Sequence, residues 1–305
     1  MLDEKRLNKL VYRFISGYEI FSINGFDVKY SPPTRLQLGR ADLYWQQCYE
    51  RNKYRGFIST EETESVLIDM GLWTSKKTEE LNIIKEKPKE IRLAMYEAYE
   101  SGAPWKYLKK TLQKTENTLN SLSNQRSCLN PYTLEGFCSW QSNEKMVFEC
   151  CSLPLGFESN SKNVLNLMSK IASSNPSDKH MEKAIRTNLF LSYWNIYGVD
   201  MFDSKPCDSN TEQRSVANLA MTIDRAAESA EAPDSEVIKD PDLFAGWLIA
   251  RSERAKTKKL KSEIDSKVSS NKSKVFVVAN ERMTPKDIYN MNSKAGKQRL
   301  QSMGK

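Results

Sequence analysis

Two neighbouring segments of the chain repeat the same spacing of apolar residues, and this repetition constrains the fold more than any other feature. In both segments apolar or small side chains recur at intervals of 3, 4, 3, 4 and 3 residues. The positions are Leu81, Ile84, Pro88, Ile91, Met95 and Ala98, and then Trp105, Leu108, Leu112, Thr115, Leu119 and Leu122. This spacing aligns them along one side of an α-helix. Because Ser-Gly-Ala-Pro at 101–104 is a short turn, we predict an antiparallel helical hairpin over residues 75–126.

Such a hairpin has a narrow apolar seam. A fully covered seam residue contributes about 1.5–3 kcal/mol, whereas ordering each residue of the hairpin costs about 1–2 kcal/mol. We therefore expect the hairpin to need the rest of the chain, or a partner, to be stable. Pro88 lies inside the first helix, and because proline removes a backbone hydrogen bond we expect a kink or a break near Lys87.

A second local signal is the Asn24-Gly25 dipeptide, which stands between two short apolar-alternating segments. Asn-Gly supplies the positive φ angles of a type I′ turn, so residues 18–30 are predicted to form a two-residue β-hairpin. One face should carry the side chains of Phe21, Ile23, Phe26, Val28 and Tyr30. A lone hairpin is marginal in water, so this one should pack on another element.

The remaining periodicity is helical, and the predicted fold class is mainly α. Further helices are predicted at 1–16, 35–55, 59–71, 132–151, 164–171, 178–197, 211–231 and from 240 onward. In the 35–55 helix we place Leu36, Leu43, Trp45, Cys48 and Tyr49 near one side. We divide the chain into an N-terminal region 1–73, the hairpin 74–126, a helical region 127–264 and a basic tail 265–305 that includes a short strand.

Several classes of chemistry lack their usual sequence signals. The six cysteines include no C-x-x-C pair, His180 is the single histidine, and no phosphate-binding glycine loop is present. We therefore expect no metal or other cofactor and no enzymatic activity, although carboxylates brought together by folding stay open as an alternative. No apolar run could span a membrane, and Met1–Arg6 lacks a signal-peptide pattern. These features predict a soluble protein that acts in the cytoplasm.

The charge of the chain changes sign near residue 250. Seven acidic and two basic residues lie in 224–242, whereas nine basic and three acidic residues lie in 251–274. The candidate binding residues are Arg251, Arg254, Lys256, Lys258, Lys259 and Lys261. This segment is interpreted either as a solvated helix end or as a contact for nucleic acid or an acidic partner.

A short apolar segment, Val275–Ala279, follows the basic stretch and is predicted to be a β-strand. Its candidate binding residues are Val275, Phe276 and Val277. A strand beyond a linker can add to the edge of a sheet. We slightly prefer the edge of the chain's own β-hairpin, and the edge of a partner stays as the alternative.

Four segments resemble uncharacterised proteins of large tailed bacteriophages. They are Gly17–Gly25, Gly71–Ser75, Thr133–Phe137 and the stretch from Val275 to Asn292. Proteins that look like this are associated with tail morphogenesis, as assembly chaperones or minor structural components. The resemblance implies a helical, non-enzymatic protein that binds other phage structural or tail proteins, located in the host cytoplasm during assembly or in the virion. No catalytic residues are implied.

Three functions are thus predicted in order of preference. The first is a tail-assembly or minor structural protein that binds partners through the 75–126 hairpin and the C-terminal tail. The second is a nucleic-acid-binding protein that uses residues 251–274. The third is an enzyme whose site is assembled from distant carboxylates.

Overall fold

The structure is a computed structural model and describes residues 4–158, 160–203 and 208–270. The chain divides into two compact units, residues 1–248 and 249–305. The finer boundaries predicted at residues 73, 126 and 264 stay predictions. The predicted strand at Val275–Ala279, with its candidate residues Val275, Phe276 and Val277, lies outside the described residues.

The described residues are mainly helical, as predicted. The α-helices are α1 (Glu4–Ser16), α2 (Arg35–Asn52), α3 (Thr60–Asp69), α4 (Ser75–Glu100), α5 (Lys106–Arg126), α6 (Leu134–Cys150), α7 (Ser161–Ser174), α8 (Asp178–Ala184), α9 (Asn188–Tyr197), α10 (Thr211–Ala227), α11 (Ser235–Lys239) and α12 (Pro241–Ser270). Short 3-10 helices cover Asn130–Tyr132 and Gly198–Met201. The strands are β1 (Glu19–Ile23), β2 (Phe26–Tyr30) and β3 (Cys151–Ser152).

The predicted β-hairpin is confirmed, and its turn has the expected backbone. Asn24 and Gly25 adopt φ angles of 51° and 83°, which match a type I′ turn. Its buried face packs on α6 and α7 through a core cluster that contains Phe21, Val28 and Leu167. The sequence did not predict β3, which pairs antiparallel with the end of β2. A strand of two residues is too short to show the alternation of apolar and polar residues that predicts strands, so it is recognised only by its pairing with β2.

The predicted helical hairpin is also confirmed, because α4 packs against α5. The chain itself covers part of the seam. Leu67 and Trp73 close one end of it against Leu81 and Leu122. Pro88 lies within α4, which continues through it from Ser75 to Glu100. Of the two predicted alternatives near Lys87, the break was therefore wrong and the kink stays a prediction.

The first turns of α12 lie against the middle of α4. A Cβ atom added to Gly246 would stand 2.2 Å from the carbonyl oxygen of Arg92 and 2.9 Å from the Cβ of Tyr96. Nearby, the Arg92 guanidinium bonds to Glu116 of α5 at 2.7 Å and to Asp242 of α12 at 3.3 Å. The hairpin is therefore held by contacts within residues 1–248.

The largest core cluster joins α1, α8, α9 and α10. Val11 and Phe14 of α1 pack with Phe190 and Trp194 of α9 and with Val216 of α10. One helix was predicted over 178–197, but the chain forms two. The Thr187 side chain accepts a hydrogen bond from the amide of Phe190 and begins a new helix there.

A buried arginine connects this cluster to the sheet. The Arg13 side chain is 4% exposed and bonds to Glu19 and to Glu212, each at 2.5 Å. It also donates to the carbonyl of Ser174 at 3.0 Å. Arg13 thereby links α1, β1, α7 and α10 through one charged group.

Helix α2 packs on α6, but not with all of the predicted residues. Cys48 and Cys138 are buried between the two helices, and the Trp45 indole donates to Ser139 at 3.1 Å. Leu36 and Leu43, predicted on the same side, are 66% and 59% exposed. At 3.6 residues per turn they lie a third of a turn or more from Cys48 and nearly opposite Trp45, so α2 has a second apolar face that points to solvent.

Candidate interaction surfaces

The outer face of α9 and of Val199 just after it combines exposed apolar side chains with an absence of charge, up to the exposed Asp200 that follows in the 3-10 helix Gly198–Met201. Residues 187–199 include no Asp, Glu, Lys or Arg, in a chain with 28% charged residues. Leu191, Ile196 and Val199 are 39%, 72% and 42% exposed. We call the outward residues Asn188, Leu191, Ser192, Asn195, Ile196 and Val199 the neutral face.

The opposite side of α9 explains why the neutral face is presented outward. Phe190 and Trp194 are buried and stacked, with ring centroids 5.8 Å apart. The Trp194 indole also donates to the Asp224 carboxylate of α10 at 2.8 Å. These contacts hold the helix in one rotation about its axis, so the apolar residues of the neutral face cannot turn inward.

A neutral, partly apolar helix face is suited to binding a protein. The centres of protein interfaces are depleted in charged residues, and exposed apolar patches mark interaction sites more often than isolated apolar residues do. Asn188, Ser192 and Asn195 add short side chains that can hydrogen-bond a partner without a large entropic cost. In the sequence, the aromatic residues of 189–197 indicate a core segment, whereas Leu191 and Ile196 are five residues apart and show no helical spacing that would mark an outward face.

The second surface is the basic segment of α12 in the unit 249–305. All six predicted basic residues lie in this helix, and residues 251–263 are exposed throughout. Arg251, Arg254, Lys258 and Lys261 follow one another at spacings of 3, 4 and 3. That spacing places four positive charges along one side of the helix, which we call the basic stripe. Lys256 and Lys259 lie off the stripe.

The hairpin predicted to bind partners presents mainly polar residues on the outer side of α5. The groove there is lined by Lys110, Gln113, Lys114, Asn117, Thr118, Ser121 and Leu122. Charged side chains such as Lys110 and Lys114 are depleted from the centres of interfaces. Binding through the hairpin stays a prediction, and the neutral face is the better-suited surface within residues 1–248.

A polar cleft of about 350 Å³ lies between β2, β3 and the start of α10, and it bears on the enzyme alternative. Lys29, Glu149, Asp203 and Asp208 line it, together with two cysteines. Burial raises the pKa of Cys150 to about 11 and that of Cys151 to about 12. At neutral pH both are protonated thiols, which are poor nucleophiles.

Two further observations concern only the described part of the chain. Among those residues no group of three His, Cys, Asp or Glu side chains is arranged to hold a metal ion. Over the same ranges, no helix combines the length and the apolar character required to cross a bilayer.

Comparisons with protein-family models, with curated proteins and with solved structures give no match for this chain. The neutral face and the basic stripe are therefore the basis for assigning a function.

Proposed function

We propose that this chain is a non-enzymatic binding protein that docks another protein on the neutral face. The observation that carries the proposal is the exposure of Leu191, Ile196 and Val199 on a helix face without charge. Each apolar residue covered by a partner would contribute about 25 cal/mol per Å² of area removed from water. None of the six residues of the neutral face is charged, so a partner that covers them alone, and leaves Asp200 in solvent, desolvates no charge.

The sequence resemblance supports a more specific form of the proposal. The partner would be a structural or tail protein of a tailed phage, and the chain would act during tail assembly in the host cytoplasm or remain as a minor component of the virion. The mainly helical fold suits this role, although many helical adaptors share it. The resemblance supplies the identity of the partner, and the neutral face supplies the means of binding.

The proposal can be tested by affinity capture from cells producing the phage. Tagged chain should recover a virion or tail protein, and Ile196→Glu should reduce that recovery at least roughly tenfold, since a charge would then have to be desolvated in the interface. Ile196 is 72% exposed, so the substitution should leave the helical circular dichroism unchanged.

Leu155→Glu is the matched control, because it adds the same charge at a fully exposed loop residue outside the neutral face. It should capture the partner as well as the wild type does. Recovery of no virion or tail protein would contradict the phage role, and equal capture by Ile196→Glu would contradict the role of the neutral face.

A second function, nucleic-acid binding, is favoured by the basic stripe. Four positive side chains in line on an exposed helix match the requirement for neutralising neighbouring phosphates. Such binding weakens with salt, because each neutralised phosphate releases condensed counterions and contributes about −0.9 to the slope of log K against log salt on duplex DNA.

Gel-shift titrations on duplex DNA at several salt concentrations test this second function. The double change Lys258→Gln, Lys261→Gln removes two charges from the basic stripe and should flatten the salt slope by about 2. The change Lys256→Gln, Lys259→Gln removes the same charge off the stripe of the same helix and should have a smaller effect. Equal effects, or no binding at low salt, would exclude the basic stripe as the contact.

A further inference from the structure

The outward face of α2 carries an apolar row that the neutral face and the basic stripe do not include. Leu36 and Leu43 are spaced by seven residues, and Gly39 lies between them on the same side. Both leucines are more than half exposed. Space around Gly39 is open, because a Cβ atom added there would meet nothing within 4 Å. A helical glycine costs about 1 kcal/mol relative to alanine, yet among the residues that the structure describes no contact uses its small size.

The row is complementary to itself when two α2 helices run antiparallel. A two-fold axis between Gly39 and Arg40 would place Leu36 of one copy against Leu43 of the other, and the reverse. The same axis would bring the two Gly39 residues to the centre, where the absence of side chains allows the helix backbones to approach closely. Symmetric pairing of one patch with itself is the commonest form of protein dimer.

The charges beside the row fit the same arrangement. Arg35 and Asp42 are exposed on one flank of α2. In an antiparallel pair, flanking positions on the same side of the seam face each other, so Arg35 of one copy would face the second copy's Asp42, twice per dimer. Within residues 35–50, two basic residues (Arg35, Arg40) and two acidic residues (Asp42, Glu50) sum to zero.

Neutrality matters because the whole chain carries a net charge of +7. Two copies approaching through a basic surface would repel each other, whereas the α2 face adds no such repulsion. Arg40, the charged residue nearest the proposed axis, lies 4.0 Å from the Glu149 carboxylate of α6. That acidic neighbour reduces the repulsion between the two Arg40 side chains.

From these observations we infer that the chain self-associates through α2, with the Leu36–Gly39–Leu43 row of each copy packed antiparallel on that of a second copy. The contact is small, because one helix face supplies it, so the dimer belongs to the weak and reversible class. This inference does not depend on the neutral face, because the two surfaces lie on different helices.

Sedimentation equilibrium of the full chain over a wide concentration range tests the inference. The average mass should rise from the monomer value of 35.1 kDa toward twice that value. Leu43→Glu should raise the dissociation constant roughly tenfold or more, whereas Leu155→Glu, which adds the same charge on a distant loop, should not change it. Circular dichroism should show that both variants keep their helices.

A charge exchange identifies the arrangement. Arg35→Glu should weaken association, since the new carboxylate would face the second copy's Asp42. Adding Asp42→Arg to the same chain should restore it. A wild-type mass that stays at 35.1 kDa at every concentration would overturn the inference, as would a dimer insensitive to Leu43→Glu. Failure of the double exchange to restore association would overturn the antiparallel pairing.

Discussion

Replacing Arg13 with methionine is expected to lower the free energy of unfolding by about 3–5 kcal/mol, because it removes one partner from a buried ion-pair network. Glu19 and Glu212 are 13% and 11% exposed, and both direct a carboxylate at the Arg13 guanidinium. Without that guanidinium, Glu212 would be a buried charge lacking its ion-pair partner. Urea denaturation monitored by circular dichroism measures the change.

Lys9→Met is the control for the loss of one positive charge near the same acid. Lys9 pairs with Glu19 at 2.9 Å, but its side chain is 73% exposed. Solvent screens such a pair, so the variant should unfold within about 0.5 kcal/mol of the wild type. Similar losses in the Lys9 and Arg13 variants would contradict the idea that burial makes the Arg13 network important.

The loss at Arg13 should depend on pH in a defined direction. Burial raises the pKa of Glu212 above its ordinary value of 4.5, and the Arg13 charge acts in the opposite direction to lower it. Removing Arg13 should therefore raise this pKa further. A folded-state pKa above the unfolded one means that the folded state holds the proton more tightly, so stability decreases as pH rises from the ordinary pKa through the raised one.

The destabilisation by Arg13→Met should consequently be smaller at pH 5 than at pH 8, where Glu212 must be buried as an anion. Adding Glu212→Gln removes that anion and should recover part of the stability at pH 8. If the loss is the same at both pH values, the penalty arises from lost packing and hydrogen bonds and not from the unpaired carboxylate.

Gly246→Ala is expected to destabilise the unit 1–248 by roughly 3 kcal/mol, near the upper end of typical overpacking costs. The new methyl group would lie 2.2 Å from the carbonyl oxygen of Arg92, and real Cβ atoms do not approach so closely. Relief requires α12 to move away from α4, which would lengthen the Arg92–Asp242 contact. Thermal and urea unfolding both report the effect.

Gly39→Ala is the matched control, because it makes the same substitution inside another helix. Its methyl group would meet no atom within 4 Å, so only the higher helix propensity of alanine acts, and the monomer should gain about 0.5–1 kcal/mol. The measurement belongs at concentrations where the chain is monomeric. A loss of stability at Gly39, or none at Gly246, would contradict the described packing.

The sequence by itself determined the features that depend on neighbouring residues. Asn24 and Gly25 specify a tight turn because they tolerate positive φ angles. Ser59 and Glu62, three residues apart, form a capping box that begins α3 at the start of the helix predicted over 59–71. The 3-4 spacing of apolar residues specified α4 and α5, because helical periodicity is a property of a continuous segment.

Only the tertiary structure decided which faces of the helices are covered. Leu36 and Leu43 have the same apolar character as Cys48, but α6 packs on the side of Cys48 and leaves the two leucines in solvent. The strand β3 exists because β2 offers its edge, and Pro88 is accommodated within a continuous α4. Each of these outcomes depends on contacts between residues far apart in the sequence, and the free energy of such contacts is not encoded in any local pattern.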